Sequence, residues 1–432
     1  MKNVIFPSEF PHDFLENEKR YLNLHEKIEK IWSMTQRFYF PVEFAKKTLE
    51  ETSELKKKIT SSKTKSEIIE ILNLNMKERL ESFELSLNRV FEKDFDYEIN
   101  LKMNGLSGKD ISKKEKELKS LNIQKKIQEL TPLTESVFER QAHSEEEFET
   151  IKSFIVELLN VAFQKSPNSI KVLFDNNFHN YLITVEFLKI PNARSYHLSG
   201  RVYFNLMNAI VSELTRGHKV ETLLNLPQIA DLVGEESLLG HQGHFLITER
   251  AQVPEFLRRP TRSSTRINVE TIAHLGKDIL VSELENNPEV RKKLVSEDNF
   301  RILMKGFELF ELSRKVRTFA SVYGDYLKFV KNLSDSQIGK KLFEISKDPF
   351  YLSDYFLKRF NYYSIKDFWE DPYSKIDTWV YVMTDTLSAK IENTFGKLSG
   401  TSMGNILNFL NMGYWTRTSF EEYFKFLVKE FS

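Results

Sequence analysis

The chain has 432 residues, of which 41% are apolar and 29% charged, a composition that fits two or three folded domains and excludes a disordered, fibrous or collagen-like protein. Sixty-two basic residues balance 62 acidic ones, so no global field draws the chain toward nucleic acid or an anionic membrane. The absence of cysteine removes disulfide scaffolds, thiolate metal sites and cysteine nucleophiles.

Only 15 glycines and 12 prolines punctuate a sequence dominated by Leu, Lys, Glu, Phe and Ile, which predicts an all-α fold of long helices and short turns. The first thirty residues place acids and prolines where a signal peptide needs an apolar run, and no apolar stretch approaches the ~20 residues of a spanning helix. The expectation is a cytoplasmic protein with no membrane span, in which the Asn332-Leu333-Ser334 sequon is not glycosylated.

Two early histidine doublets carry no catalytic motif. His25-Glu26 opens a segment with Glu29 where a zinc-protease helix needs its second His, and His12-Asp13 has no histidine upstream to complete a phosphohydrolase set. From residue 66 to 91, Ile69, Leu72, Met76, Leu80, Phe83, Leu87 and Val90 step by three or four, as one buried helical face requires. A sparser stripe of Ile111, Leu118, Leu121, Ile127 and Leu130 predicts a second helix over 109–130. Asn104-Gly105 then suggests that the two pair as an extended, coiled-coil-like hairpin within a first domain, 1–136. The Lys-rich stretch 108–119 is interrupted by Asp110, Glu115 and Glu117, and residues 1–150 hold 26 basic against 29 acidic side chains, so this region reads as a solvated helix face.

Ser144 and Glu147 form a capping-box signature that opens a larger helical bundle, 137–432, divisible near 285. Within it, residues 170–190 hold β-branched and aromatic side chains around Asp-Asn-Asn and predict at most one small β-hairpin. Asn287-Pro288, Ser334 with Gln337, and Ser419 with Glu422 mark further helix starts, and apolar periodicity over 299–333 predicts a long central helix.

Six of the nine histidines fall between His179 and His274. His241 and His244 are three apart, Glu270 and His274 are four apart, and His197 lies nearby in sequence. These are the candidates for acid–base work or metal ligation, although neither pair follows a strong metal signature and no metal or cofactor is assigned. Arg258, Arg259, Arg262 and Arg266 place four guanidinium groups in nine residues beside Ser263, Ser264 and Thr265, the pattern of an anion-binding loop. The small-residue run 396–404 lacks the Gly-Lys-Ser/Thr of a phosphate loop and reads as a turn. Aromatic residues crowd 350–381. The adjacent pairs Tyr362-Tyr363 and Phe368-Trp369 point in different directions on a helix, which makes them partner-surface candidates.

Three functional expectations follow. The first is a helical scaffold that engages a protein partner or a second copy of itself, supported by long amphipathic helices and by the failure of each catalytic motif. The alternative is an enzyme whose central histidines and arginines converge on a phosphate- or carboxylate-bearing substrate. The second alternative, less favoured, is RNA or DNA binding through the arginine loop.

Overall fold

The structure is a computed structural model that describes residues 5–35, 42–62, 64–88, 98, 101–102, 105–120, 123–134, 137–216, 218–261, 264–346, 349–353, 374–395 and 406–431. It is predominantly helical, and among the described residues no helix is long and apolar enough to cross a membrane.

Three helices open the chain: α1 (His12–Thr35), α2 (Val42–Ser61) and α3 (Glu67–Asn88). Helix α2 buries Ala45, Thr48, Thr52, Leu55 and Ile59, a three-four step that puts two threonines in an apolar face. They are tolerated because the Thr48 and Thr52 hydroxyls donate to the carbonyls of Phe44 and Thr48, at 2.8 and 2.7 Å. Helix α3 buries the expected stripe from Ile69 to Leu87, while Val90 lies outside the described residues.

The expected pairing of α3 with the 109–130 segment is corrected. That segment forms α4 (Gly108–Ser120) and α5 (Ile123–Thr134), which lie against two later helices, α14 (Glu297–Phe329) and α15 (Asp335–Ser346). Helix α3 instead packs on α2, α1 and α17 (Arg417–Phe431). The reason lies in its other faces. Ile68, Ile71, Asn75, Arg79, Ser82 and Ser86 are buried too, so α3 needs neighbours all round rather than one antiparallel partner.

The second correction concerns strands. Residues 170–190 do not make a hairpin: they form α7 (Asn168–Val172), a turn with positive φ at Asp175 and Asn176, α8 (Phe178–Leu182) and a single strand. The Asn177 side chain accepts from the His179 N–H at 2.9 Å, a local cap that starts a helical turn where the apolar composition suggested a strand. Among the described residues, two three-stranded sheets occur instead. The first has the order β1-β5-β6, from β1 (Val137–Gln141), β5 (Ile210–Arg216) and β6 (Lys219–Leu224), all antiparallel. The second has the order β2-β4-β3, from β2 (Val185–Leu188), β3 (Tyr196–Leu198) and β4 (Arg201–Asn205); β2 runs parallel to β4 and β3 antiparallel to it. Strands β3 and β4 meet through Ser199-Gly200, both at positive φ, the two-residue turn that matches strand twist, and Tyr196 stacks on Tyr203 across the pair at 4.8 Å.

Helix α6 (Glu145–Lys165) starts at the Ser144–Glu147 capping box as expected. The remaining helices are α9 (Leu226–Glu236), α10 (His241–Arg250), α11 (Glu255–Arg258), α12 (Arg266–Asn286), α13 (Pro288–Arg291) and α16 (Ser374–Phe395). The long helix expected over 299–333 is α14. Ser334 and Gln337 cap α15 reciprocally, but α17 begins at Arg417, three residues before the Ser419–Glu422 signature would have it.

Among the described residues, three hydrophobic clusters fill the interior. The first joins α1–α3 to Trp415, Phe420, Tyr423 and Leu427, so it draws on residues from both sides of the expected 136/137 boundary. The second packs α6, both sheets and α9, and the third packs α4 against α14 and α15. Helix α12 feeds all three: Ile272 and Leu275 enter the first, Leu280 and Leu284 the second, and Ile267 the third. A helix enclosed on so many sides must point its polar residues into the protein as well.

Candidate functional site

The backbones of α9 and α12 touch where they cross. A Cβ on Gly234 would lie 2.6 Å from the Gly276 carbonyl oxygen, and one on Gly276 would lie 2.5 Å from the backbone of Leu239, distances no side chain tolerates. Gly240 is equally closed, its missing Cβ 1.9 Å from the Glu235 carbonyl oxygen. That last approach brings the start of α10, and hence His241, beside the C-terminal end of α9. Two polar clusters form around the crossing.

In the first cluster, one ligand atom from each of Glu235, His241 and Glu270 lies within 4.8 Å of the other two. His241 Nε2 is 3.7 Å from Glu270 Oε2, and Arg266, one turn before Glu270 on α12, holds the other oxygen, Oε1, at 3.4 Å. Glu270 is 4% exposed, and its Oε2 has no hydrogen-bond partner. Neighbouring Glu236 is pushed up to about 7, mainly by burial and against the pull of His241.

The second cluster lies further along α12. Lys277 Nζ stands 3.0 Å from Asp231 of α9 and 2.7 Å from Glu311 of α14, and Arg314 reaches Glu311 at 2.9 Å. Burial alone would discharge this lysine, but the two carboxylates outweigh it and hold its pKa above the usual lysine value. Beside this network a cavity of about 330 Å³ opens between α12, α14 and α16. Asp278 and Glu392 both line it and share a hydrogen bond; burial, reinforced by Glu392 and opposed by Lys277, raises Asp278 to about 8. The shift favours the protonated form of Asp278.

Of the residues singled out from the sequence, His241 and Glu270 come together, and His274 lines the cavity one turn beyond Glu270. His197 and His244 are committed to structure. The Gly200 N–H donates to His197 Nε2 at 3.1 Å, His244 Nε2 donates to the Gly413 carbonyl at 3.0 Å, and burial lowers both imidazoles to about 4. Of the four arginines, Arg262 lies outside the described residues. Arg258 donates to the Ala251 carbonyl at 2.7 Å, Arg259 pairs with Glu255 and Glu26 at 2.7 and 3.1 Å, and Arg266 pairs with Glu270, so their forks face protein acceptors. The Ser264 and Thr265 hydroxyls are buried in bonds with Thr261, and Ser263 lies outside the described residues. Tyr362, Tyr363, Phe368, Trp369 and the 396–404 run lie outside them too.

Sequence reasoning missed Glu235, Asp278, Lys277, Glu311 and Glu392. The available signal was weak: three ionisable residues, Glu270, His274 and Lys277, on the buried side of a single amphipathic pattern from 266 to 286. Comparison of the chain with family models, with curated proteins and with solved structures finds no match.

Proposed function

We infer that the protein is an acid–base enzyme acting on a small polar substrate bound in the cavity between α12, α14 and α16, with Asp278 as proton donor. The supporting observation is the Asp278–Glu392 carboxyl pair on the wall of a cavity about 330 Å³ in volume. Two carboxyls that share one proton divide into an acid and a base, the arrangement that general acid–base chemistry uses. Lys277 and Glu311 on the same wall neutralise each other, and among the other charged lining residues Glu285 and Glu392 outnumber Lys315. That wall is rich in acceptors and suits a molecule bearing hydroxyl or ammonium donors better than the phosphate or carboxylate expected from the arginine loop.

The test is a thermal-shift screen of polyols, sugars and small amines against the parent chain, Asp278→Asn and Ala389→Trp. Ala389 is exposed and lines the cavity, so a tryptophan there blocks it at little cost to folding. Compounds that stabilise the parent should lose their effect in both variants, and the same compounds enter turnover assays. A screen without hits, or hits that both variants retain, sinks the reading.

A second reading is engagement of a protein partner. It is supported by apolar side chains left exposed on and beside the second sheet, Ile183 at 72% and Leu198 at 58%. Ile183→Ser with Leu198→Ser should abolish any self-association seen by native mass spectrometry; a monomeric parent removes the self-association form of this reading.

A further inference from the structure

We propose that Glu235, His241 and Glu270 bind one divalent first-row transition-metal ion at the α9–α10–α12 junction. This goes beyond the cavity reading and does not rest on it, because none of the three residues lines the cavity.

The geometry carries the assignment. Bonds of 2.0–2.1 Å at tetrahedral angles separate ligand atoms by about 3.4 Å. The 3.7 Å between His241 Nε2 and Glu270 Oε2 is close to this, and all three ligand atoms lie within 4.8 Å of one another, with Glu235 half-buried at the edge of the set. The second observation is Glu270 itself. A carboxylate oxygen this deeply buried is costly without a donor or a cation, yet Oε2 has no hydrogen bond and lies 3.7 Å from His241 Nε2. Arg266 lies 3.4 Å from Oε1, an outer partner beside the carboxylate whose Oε2 has no hydrogen bond.

The donor set selects the ion. Two carboxylates and a neutral imidazole match the charge of a dication, and the imidazole favours zinc, iron, cobalt or manganese over calcium and magnesium, which take oxygen ligands. Three protein ligands leave at least one coordination position open. The other His-containing cluster among the described residues, His12 with Asp13 and Glu16, is fully exposed at the start of α1, has no buried member, and serves as the control.

The experiment uses the full chain, stripped with a chelator, dialysed and titrated calorimetrically with Zn²⁺ and Mn²⁺ separately. The expected result is one site per chain, weakened at least tenfold in His241→Ala and in Glu235→Gln and unchanged in His12→Ala. Melting should rise with metal in the parent and not in the first two variants, since an ion held only by the folded state stabilises it. Glu270→Gln adds a third arm if circular dichroism shows it folded; if it does not fold, the other two decide. A parent chain that binds neither ion at micromolar concentrations overturns the assignment. So does binding that persists undiminished in His241→Ala and Glu235→Gln. Ala389→Trp should leave the titration unchanged, which separates failure of this site from failure of the cavity.

Discussion

The wholly buried guanidinium of Arg79 donates at 2.8 Å to the carbonyl of Phe256, 177 positions further along the chain. The same group donates to the carbonyls of Arg259, at 2.8 Å, and Tyr414, and its Cζ lies 5.4 Å from the Phe256 ring centroid. One side chain thus ties α3 to the loop before α12 and to the segment before α17. Arg79→Leu strands three carbonyls and should cost about 3 kcal/mol or more in denaturant unfolding. Arg79→Lys keeps the charge but cannot span all three acceptors, so it should recover only part of the loss. A leucine variant within 1 kcal/mol of the parent contradicts this account.

The α9–α12 crossing predicts effects of opposite sign at three glycines. Gly234→Ala and Gly276→Ala press a methyl into facing backbone and should each destabilise by about 1–3 kcal/mol, because neither helix can yield without moving the other. Gly306, inside α14, has nothing within 4 Å of its absent Cβ, so Gly306→Ala should stabilise by about 0.5–1 kcal/mol through helix propensity alone. Chemical denaturation of the three variants gives the ordering directly.

Asp278 sets one limb of the pH dependence. Its pKa is about 8 in the folded chain against an ordinary 3.8, so between those values the folded state holds a proton that the unfolded state has lost. Its contribution is complete below pH 4 and fades as pH rises toward 8. Asp278→Asn removes the titration, and its melting temperature relative to the parent should therefore climb from pH 5 to pH 8. A difference that is constant across that range rules out the raised pKa.

His244 works in the opposite direction. Burial lowers it to about 4, against 6.5 in an open chain, so stability present above pH 6.5 is lost as pH falls toward 4. His244→Gln should be less stable than the parent at pH 7, because its reach to the Gly413 carbonyl is poorer, yet should lose less on going from pH 7 to pH 5. Parallel melting curves for the two proteins across that interval contradict the assignment.

Much of the helical architecture is legible in the sequence because it is written in local spacing. The stripe from Ile69 to Leu87, the Ser144–Glu147 box and the long helix α14 all depend on residues within a few turns of one another. The strands have a weaker signature: Ser199-Gly200 is a turn signal between Tyr196–Leu198 and Arg201–Asn205, whereas Asp-Asn-Asn looks like a stronger one although the Asn177 side chain caps a helical turn there instead. His241 and Glu270 could be named singly as candidates. Their meeting depends on Gly234 and Gly276 letting two helices touch, and Asp278 finds Glu392 more than a hundred residues away; neither relation has a local signature. Arg79 is the extreme case, since an arginine among alternating charges on a helix reads as a surface residue, and only the carbonyls gathered around it make it interior.

The first hydrophobic cluster has a consequence for how the protein is made. Asn75 donates to the Tyr414 carbonyl across 339 residues, and α1–α3 share their interior with Trp415, Phe420 and Tyr423. While a ribosome is still adding the intervening chain, the oily sides of these early helices have no permanent cover. Chaperone dependence during synthesis, and a slow final docking step on refolding, follow from that delay.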